Sequence, residues 1–244
     1  MDLPNEVPKL SFIVPAHNEE HELSATLRAI AAAAETNRAT YEIIVVDDAS
    51  TDTTAEIARS ENAKLISIAR RQIAAARNAG ARAARGELLF FVDADTRISP
   101  RLLADALQAL ASGSTGGSAR VVADREMSLW GAIFLRLFAT VYFSTGLGAG
   151  AFLFTWRELF EEVGGFDEQY FAGEEVFFSL ALKKRGRFVI LREPFVTSAR
   201  KLRMHSPGYV FAQLLFLCLS GRNALRSRDR LALWYDGKRE RSTT

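Results

Sequence analysis

Two acidic pairs carry the chemistry that this sequence can do. In Phe90-Phe91-Val92-Asp93-Ala94-Asp95-Thr96 an apolar run ends abruptly in two carboxylates one residue apart. Residues 88–92 have the unbroken hydrophobic pattern of a parallel strand buried on both faces. Ligands of open α/β sheets sit just beyond the carboxyl ends of the strands, which puts Asp93, Ala94 and Asp95 at a binding crevice. Carboxylates this close repel unless a cation or a shared proton intervenes, and hard oxygen donors suit Mg²⁺ or Mn²⁺. The competing use is an acidic turn ahead of the helix that starts near Ser99-Pro100. The second pair, Glu174-Glu175, opens a helical segment, where acids also stabilise the helix dipole without any further role.

The elements that would position these acids alternate. Residues 10–14 read as a strand stopped by Pro15, and Leu23, Leu27, Ile30, Ala31 and Ala34 follow at helical spacing. Residues 42–46 form a second β-branched run that ends in Asp47-Asp48, with Ser50-Thr51-Asp52 supplying caps for a helix over 53–60. A third unit has a strand at 64–68 and an alanine-rich helix over 73–84, and the fourth strand spans 87–92. This alternation predicts an α/β fold with a mostly parallel sheet and helices on both faces. Its polar strand-end loops, at 15–19, 47–50 and 93–96, converge on one site.

The second half is less regular. A helix over 100–112, a Gly/Ser/Thr loop at 112–118 and strands at 120–123 and 149–154 lead to a helix at 157–163 and a turn at 164–167. A helix over 174–184, short strands at 188–191 and 195–198, and a final helix over 207–226 complete it. The apolar run 128–143 contains Arg136 and falls short of a membrane span. Gly146, Gly148 and Gly150 are no dinucleotide signature, because no suitable strand precedes them. With no long linker or internal repeat, residues 1–244 read as one domain: a binding half at 1–98, a second half at 99–205, and a terminal helix and tail at 206–244.

Composition narrows the partners. The chain has 244 residues, 48% of them hydrophobic, ample for a core, and a formal net charge of +2 gives no electrostatic case for nucleic acid. Residues 222–241 are locally basic, and the apolar stretch Tyr209 to Leu217 adjoins them, a combination that suits a helix lying on an anionic membrane surface. The one cysteine, Cys218, has no intrachain partner. The N-terminus lacks a basic segment followed by an apolar core. The expected location is cytoplasmic, with peripheral contact at the inner face of the membrane.

Six motifs, in order, resemble the inverting family 2 glycosyltransferases of the GT-A fold over residues 10–200. They are Val14-Pro15-Ala16-His17-Asn18-Glu19, Val46-Asp47-Asp48-Ala49-Ser50-Thr51-Asp52, Ala76-Arg77-Asn78-Ala79-Gly80, Phe91-Val92-Asp93-Ala94-Asp95, Val163-Gly164-Gly165-Phe166-Asp167-Glu168 and Ala172-Gly173-Glu174-Glu175-Val176. The resemblance implies transfer of a sugar from a nucleotide-diphosphate donor, UDP-linked by family habit, to a hydroxyl acceptor. It assigns Asp95 to a divalent ion that neutralises the leaving diphosphate, and Asp93 to the ribose or the metal's waters. Asp48 would accept from the base; Pro15, Ala16 and Glu19 would line the nucleoside pocket, with Asn18, Asn78 and Ala94 beside them. Asp47 is either a further ligand or a cap of the next helix. Arg77 would bond the nucleotide or close the wall of the site.

Glu174-Glu175 stands where the family has Glu-Asp, so Glu175, one methylene longer, takes the place of the base, with Glu174 as the alternative. Arg200 would reach the diphosphate and His205 would join the metal shell. No Gln-x-x-Arg-Trp follows, which favours non-processive transfer. A lipid-linked acceptor would account for the apolar and basic C-terminal segment.

Other classes use similar residues. His17-Asn18-Glu19-Glu20-His21 fits a zinc peptidase pattern, but such sites need both histidines on a helix and this stretch precedes one. An Asp-x-Asp phosphatase would need Thr or Val at the position of Arg97. A fold of this type that binds nucleotide sugars without turnover differs only in measured activity.

Overall fold

The computed structural model describes residues 8–123, 142, 145–198, 225 and 226. The first half contributes strands β1 (Leu10–Ala16), β2 (Tyr41–Asp48), β3 (Lys64–Ile68) and β4 (Leu88–Val92). Between and after them run helices α1 (Leu23–Thr36), α2 (Thr54–Ser60), α3 (Ile73–Ala83) and α4 (Pro100–Ala111). A two-residue strand β5 (Thr96–Arg97) precedes α4. Beyond it lie β6 (Gly116–Ala123), β7 (Phe152–Trp156), α5 (Arg157–Glu162), α6 (Glu174–Lys183) and β8 (Phe188–Thr197).

All eight strands join one sheet in the order β3-β2-β1-β4-β7-β6-β8-β5. The first four are parallel neighbours, whereas β7 lies antiparallel to both β4 and β6, and β8 runs parallel to β6. The sheet is therefore mixed, and its parallel part carries the strand ends at which the acids sit.

Alternation along the strands divides the core. Leu10, Phe12, Val14, Val45, Leu88, Phe90, Phe152 and Phe154 pack with Leu23, Leu27 and Ile30 of α1, Ala58 of α2 and Leu102, Leu103 and Leu110 of α4. Ile13, Ile44, Val46, Leu89, Phe91 and Leu153 face the other way, onto α3, Phe160 of α5 and Phe178 and Leu182 of α6. Burial on both faces explains why the central strands are continuously apolar. The approach of α3 depends on Gly80, where a Cβ would stand 2.4 Å from Ile13 Cγ2 and 3.0 Å from Val46 Cγ2.

Four expectations need correction. β1 does not stop at Pro15 but continues to Ala16. Pairing with β4 ends at Ile13, so the missing N–H falls where β1 has a neighbour on one side only, a position a sheet tolerates. β6 begins at Gly116, inside the segment that reads as a loop, because Gly116 and Gly117 pair with Thr155 and Phe154. β7 lies later than expected, at Phe152–Trp156. The two short strands near the C-terminus are one, β8, with a register shift opposite Ala119 and Val121 that leaves Pro194 outside the ladder. The apolar run 128–143, apart from Tyr142, lies outside the described residues, as does the expected helix at 207–226 save for Leu225 and Arg226.

Candidate active site

Three strand-end loops are tied together before any side chain reaches a ligand. The β1–α1 loop is stapled to the β2–α2 loop: Ser50 Oγ accepts from Asn18 N at 2.9 Å, Asn18 Oδ1 from Thr51 N at 2.8 Å, and Thr54 Oγ1 from Glu19 N at 2.8 Å. His17 Nδ1 lies 2.8 Å from the Asp48 carbonyl oxygen. His17 and His21 both precede α1, so no helix presents the pair as a zinc peptidase would require.

Asp48 ties in the third loop. Its Oδ1 accepts from Arg70 N and Arg71 N and its Oδ2 from Gln72 N, each at 2.7 Å. This carboxylate, 4% exposed, thereby stabilises the amino end of α3 and spends most of its accepting capacity on the protein. Asp47, also buried, accepts from Ser50 N at 3.0 Å, which makes it a brace of its own loop. Asn18, Ala49 and Arg71 take positive φ at 53°, 60° and 50°. Left-handed backbone at non-glycine residues costs about 1–3 kcal/mol each and clusters at functional sites.

The acids meet around Arg77. This side chain, 1% exposed, projects from α3 toward the carboxyl end of β4. Its Nη2 donates to Asp93 Oδ1 at 2.9 Å and to the Gly150 carbonyl oxygen at 2.8 Å, and its Nη1 donates to Glu174 Oε1 at 2.6 Å. The guanidinium carbon stands 5.2 Å from the centroid of Phe166, and Nε has no hydrogen-bond partner among the described residues. Arg77 thus lies buried behind the carboxylates, with Nη1 and Nη2 bonded to them and to Gly150. Asn78, next in α3, donates to the Phe166 carbonyl at 2.8 Å and accepts from Phe166 N at 2.9 Å, so it holds the 164–168 turn rather than facing the crevice.

Glu174 and Glu175 have separate surroundings. Glu174 is 3% exposed and bonded to Arg77, whereas Glu175 is half-buried with no cation within salt-bridge distance among the described residues. Burial, then the charge of Glu174, pushes Glu175 up to about 8, with Arg77 opposing. Burial likewise pushes Asp93 up to about 6, opposed by Arg77 and reinforced by Asp95. Tyr142, whose hydroxyl donates to the Gly148 carbonyl at 2.9 Å, is raised by burial and by the charges of Glu175 and Glu174.

Asp95 is half-buried beside Thr197, whose Oγ1 lies 3.4 Å from Oδ1. Among the described residues no group of three or more His, Cys, Asp or Glu gathers to hold a metal. The donor set still fits a hard divalent ion: Asp93 and Asp95 give oxygens, and a bound diphosphate would give the rest. Pro15 and Ala16 are buried at the end of β1, Ala94 is buried, and Glu19 is 8% exposed. Arg200 and His205 lie outside the described residues.

Gly150, which belongs to no dinucleotide signature, lies against the acids instead. Its carbonyl is a partner of Arg77, and a Cβ there would stand 3.1 Å from Arg77 Nη2 and 3.6 Å from Glu175 Cδ.

The paired acids lie beyond the carboxyl ends of the parallel strands, the place where open α/β sheets bind their ligands. The Glycosyl transferase family 2 model matches residues 11–164, more than half of the chain, and the chain belongs to that family. It is 35% identical over 111 residues to a validoxylamine A glucosyltransferase of Streptomyces hygroscopicus subsp. limoneus, a match covering 43% of this chain and 24% of that protein. The matched stretch is thus about a quarter of that relative's length. Among solved structures, the chain resembles the mannosyltransferase PcManGT of Pyrobaculum calidifontis in complex with GDP-Man and Mn²⁺, with a TM-score of 0.67, 24% identity and coverage of 96% of this chain and 68% of that one. It also resembles S. aureus TarS 1–349 in complex with UDP, with a TM-score of 0.59, 22% identity and coverage of 79% and 61%. These two likenesses show the fold.

Proposed function

We propose that the protein is a non-processive, inverting glycosyltransferase that moves a sugar from a nucleotide-diphosphate sugar to a hydroxyl acceptor, with Glu175 as the base. The observation that carries this is the pairing of Arg77 with both Asp93 and Glu174, which brings the acids after β4 and those at the start of α6 to one place. The matched family segment ends at residue 164, and the Arg77–Glu174 pair, with the bonds of Gln72 and Asn78 to residues 166–170, joins the start of α6 to it.

Asp95, with Asp93, would hold Mn²⁺ or Mg²⁺, and such an ion neutralises the charge that develops on the leaving diphosphate. Pro15, Ala16 and Glu19 form the nucleoside wall, and Asp48 holds the loops that shape it. Asp93 keeps Oδ2 for the ribose or a metal-bound water, because Oδ1 is taken by Arg77. Glu175 accepts the acceptor's hydroxyl proton as the new bond forms, a role for which its raised affinity for protons suits it near neutral pH. Glu174 anchors the first turn of α6. Arg200 and His205 are proposed as diphosphate and metal contacts on sequence alone. UDP is the expected donor nucleotide, and the GDP-Man complex of the Pyrobaculum relative makes GDP the alternative to screen beside it.

Nucleotide release from UDP-glucose, UDP-GlcNAc and GDP-mannose, with and without Mn²⁺, tests the reading against Glu175→Gln. The variant should bind UDP or GDP as wild type does while its kcat falls by about 10²–10⁴. Equal rates for wild type and variant would reject Glu175 as base. Nucleotide-sugar binding without turnover in wild type would favour a binding protein instead.

A further inference from the structure

The loop that presents Glu175 is held from two sides, and one of them is the chain's C-terminal region. Tyr170, Phe171, Ala172 and Gly173 lead directly into α6. Gly173, at φ 77°, occupies the N-cap position and provides no side-chain cap. With no such cap, the start of α6 depends on the Arg77–Glu174 pair and on what packs on this loop.

From the α3 side, Gln72 Nε2 donates to the carbonyl oxygens of Glu168 at 2.6 Å and Tyr170 at 3.2 Å. From the other side, the Leu225 carbonyl accepts from Phe171 N at 2.8 Å, and a Cβ on Gly173 would stand 3.5 Å from Leu225 Cδ1. The Arg226 guanidinium lies 5.1 Å from the centroid of the Tyr170 ring, with Nη2 3.4 Å from its hydroxyl. Tyr170 is 4% exposed and stacks on Phe177 of α6 at 4.2 Å and 23°. Arg226, Tyr170 and Phe177 thus connect the C-terminal region to the helical turn that carries Glu174 and Glu175.

We infer that Leu225 and Arg226 are positioning residues for the base: they clamp the Tyr170–Gly173 loop and through it set where Glu175 stands. This rests on the reading of Glu175 given above. Arg226 belongs to the locally basic stretch 222–241, and here its cation stands over an aromatic ring.

The test uses the full chain with Arg226→Ala, Arg226→Lys, Tyr170→Leu, the double variant Tyr170→Leu/Arg226→Ala, and Glu175→Gln. Arg226→Ala should speed amide exchange across residues 170–176 by about 2- to 5-fold, the factor a partly exposed cation–π contact supports. Exchange in β1 and β4 should not change. Nucleotide release should lose a similar factor in kcat while donor KM and UDP or GDP affinity stay within about two-fold, as expected when only positioning is disturbed. Arg226→Lys should restore most of both, and in the Tyr170→Leu background Arg226→Ala should add nothing.

Unchanged exchange at 170–176, a rise throughout the chain, or additive effects would overturn the clamp. Faster exchange with unaltered kcat, in a protein that Glu175→Gln inactivates, would overturn the positioning role alone. If Glu175→Gln keeps activity, the assignment of the base is what fails, and the exchange data still decide the clamp.

Discussion

Glu174 and Glu175 are adjacent in sequence and opposite in setting, and their difference yields pH behaviour that can be measured. Glu175 is raised from 4.5 to about 8, so kcat/KM should climb as pH rises toward about 8 rather than levelling off above the ordinary carboxylate range. Stability should run the other way. Between about pH 4.5 and 8 the folded state holds a proton that the unfolded chain has released, so stability falls as pH rises through that window. Asp93, raised to about 6, adds to this slope in its lower part. Melting temperatures and a pH–rate profile check both signs, and Glu175→Gln should flatten the upper part of the stability slope. A wild-type rate profile flat across that window would contradict the assignment. Arg77→Ala leaves Asp93 and Glu174 uncompensated and should cost about 3–5 kcal/mol in denaturant unfolding. The residue types here were legible in the sequence, but the direction of Arg77 was not. Its burial follows from Phe166, Gly150 and Glu174 closing around it, three partners at least 73 residues away in the chain.

At the scale of elements, the close seat of α3 on the sheet brings Arg77 within reach of Asp93. Gly80→Ala would drive a methyl into Ile13 and Val46. Overpacking of this kind costs about 1–3 kcal/mol, and the shift of α3 should lower turnover along with the melting temperature. Thermal unfolding alongside nucleotide release checks it; a variant of wild-type stability would show that α3 has slack. β1, β2 and β4 were legible because burial on both faces makes each a largely apolar run; β3, the partly exposed edge strand, was legible from the repeat of the strand–helix pattern. β5 was not, since two residues carry no periodicity. β8 was obscured by Arg192-Glu193-Pro194, an interruption that the mismatch opposite Ala119 and Val121 absorbs. Gly116 and Gly117 favour loops by propensity and lie in a strand by packing, a case of tertiary context overriding local preference.

For the whole molecule, the basic stretch and the apolar run at 209–217 bear on the acceptor. No helix among the described residues is long and apolar enough to cross a membrane. We propose peripheral contact with an anionic surface and a lipid-linked acceptor. Sedimentation with vesicles of anionic and of zwitterionic lipid should show salt-sensitive binding to the anionic ones alone; no binding at low salt would remove the idea. That the acids stand at the carboxyl ends of the parallel strands was legible from the alternation of strands and helices. What the loops do to one another was not, because the Asp48 clamp and the Asn18 staple are long-range bonds with no local pattern. The most direct test of the central claim is a thermal-shift screen of UDP, GDP and their sugars with wild type and Asp95→Ala, each with and without Mn²⁺. Because a ligand bound only by the folded state raises its apparent stability, wild type should be stabilised by one nucleotide series when Mn²⁺ is present. Asp95→Ala should keep its fold and lose that metal-dependent shift. No shift with any nucleotide in wild type, or an equal shift in Asp95→Ala, would contradict the account.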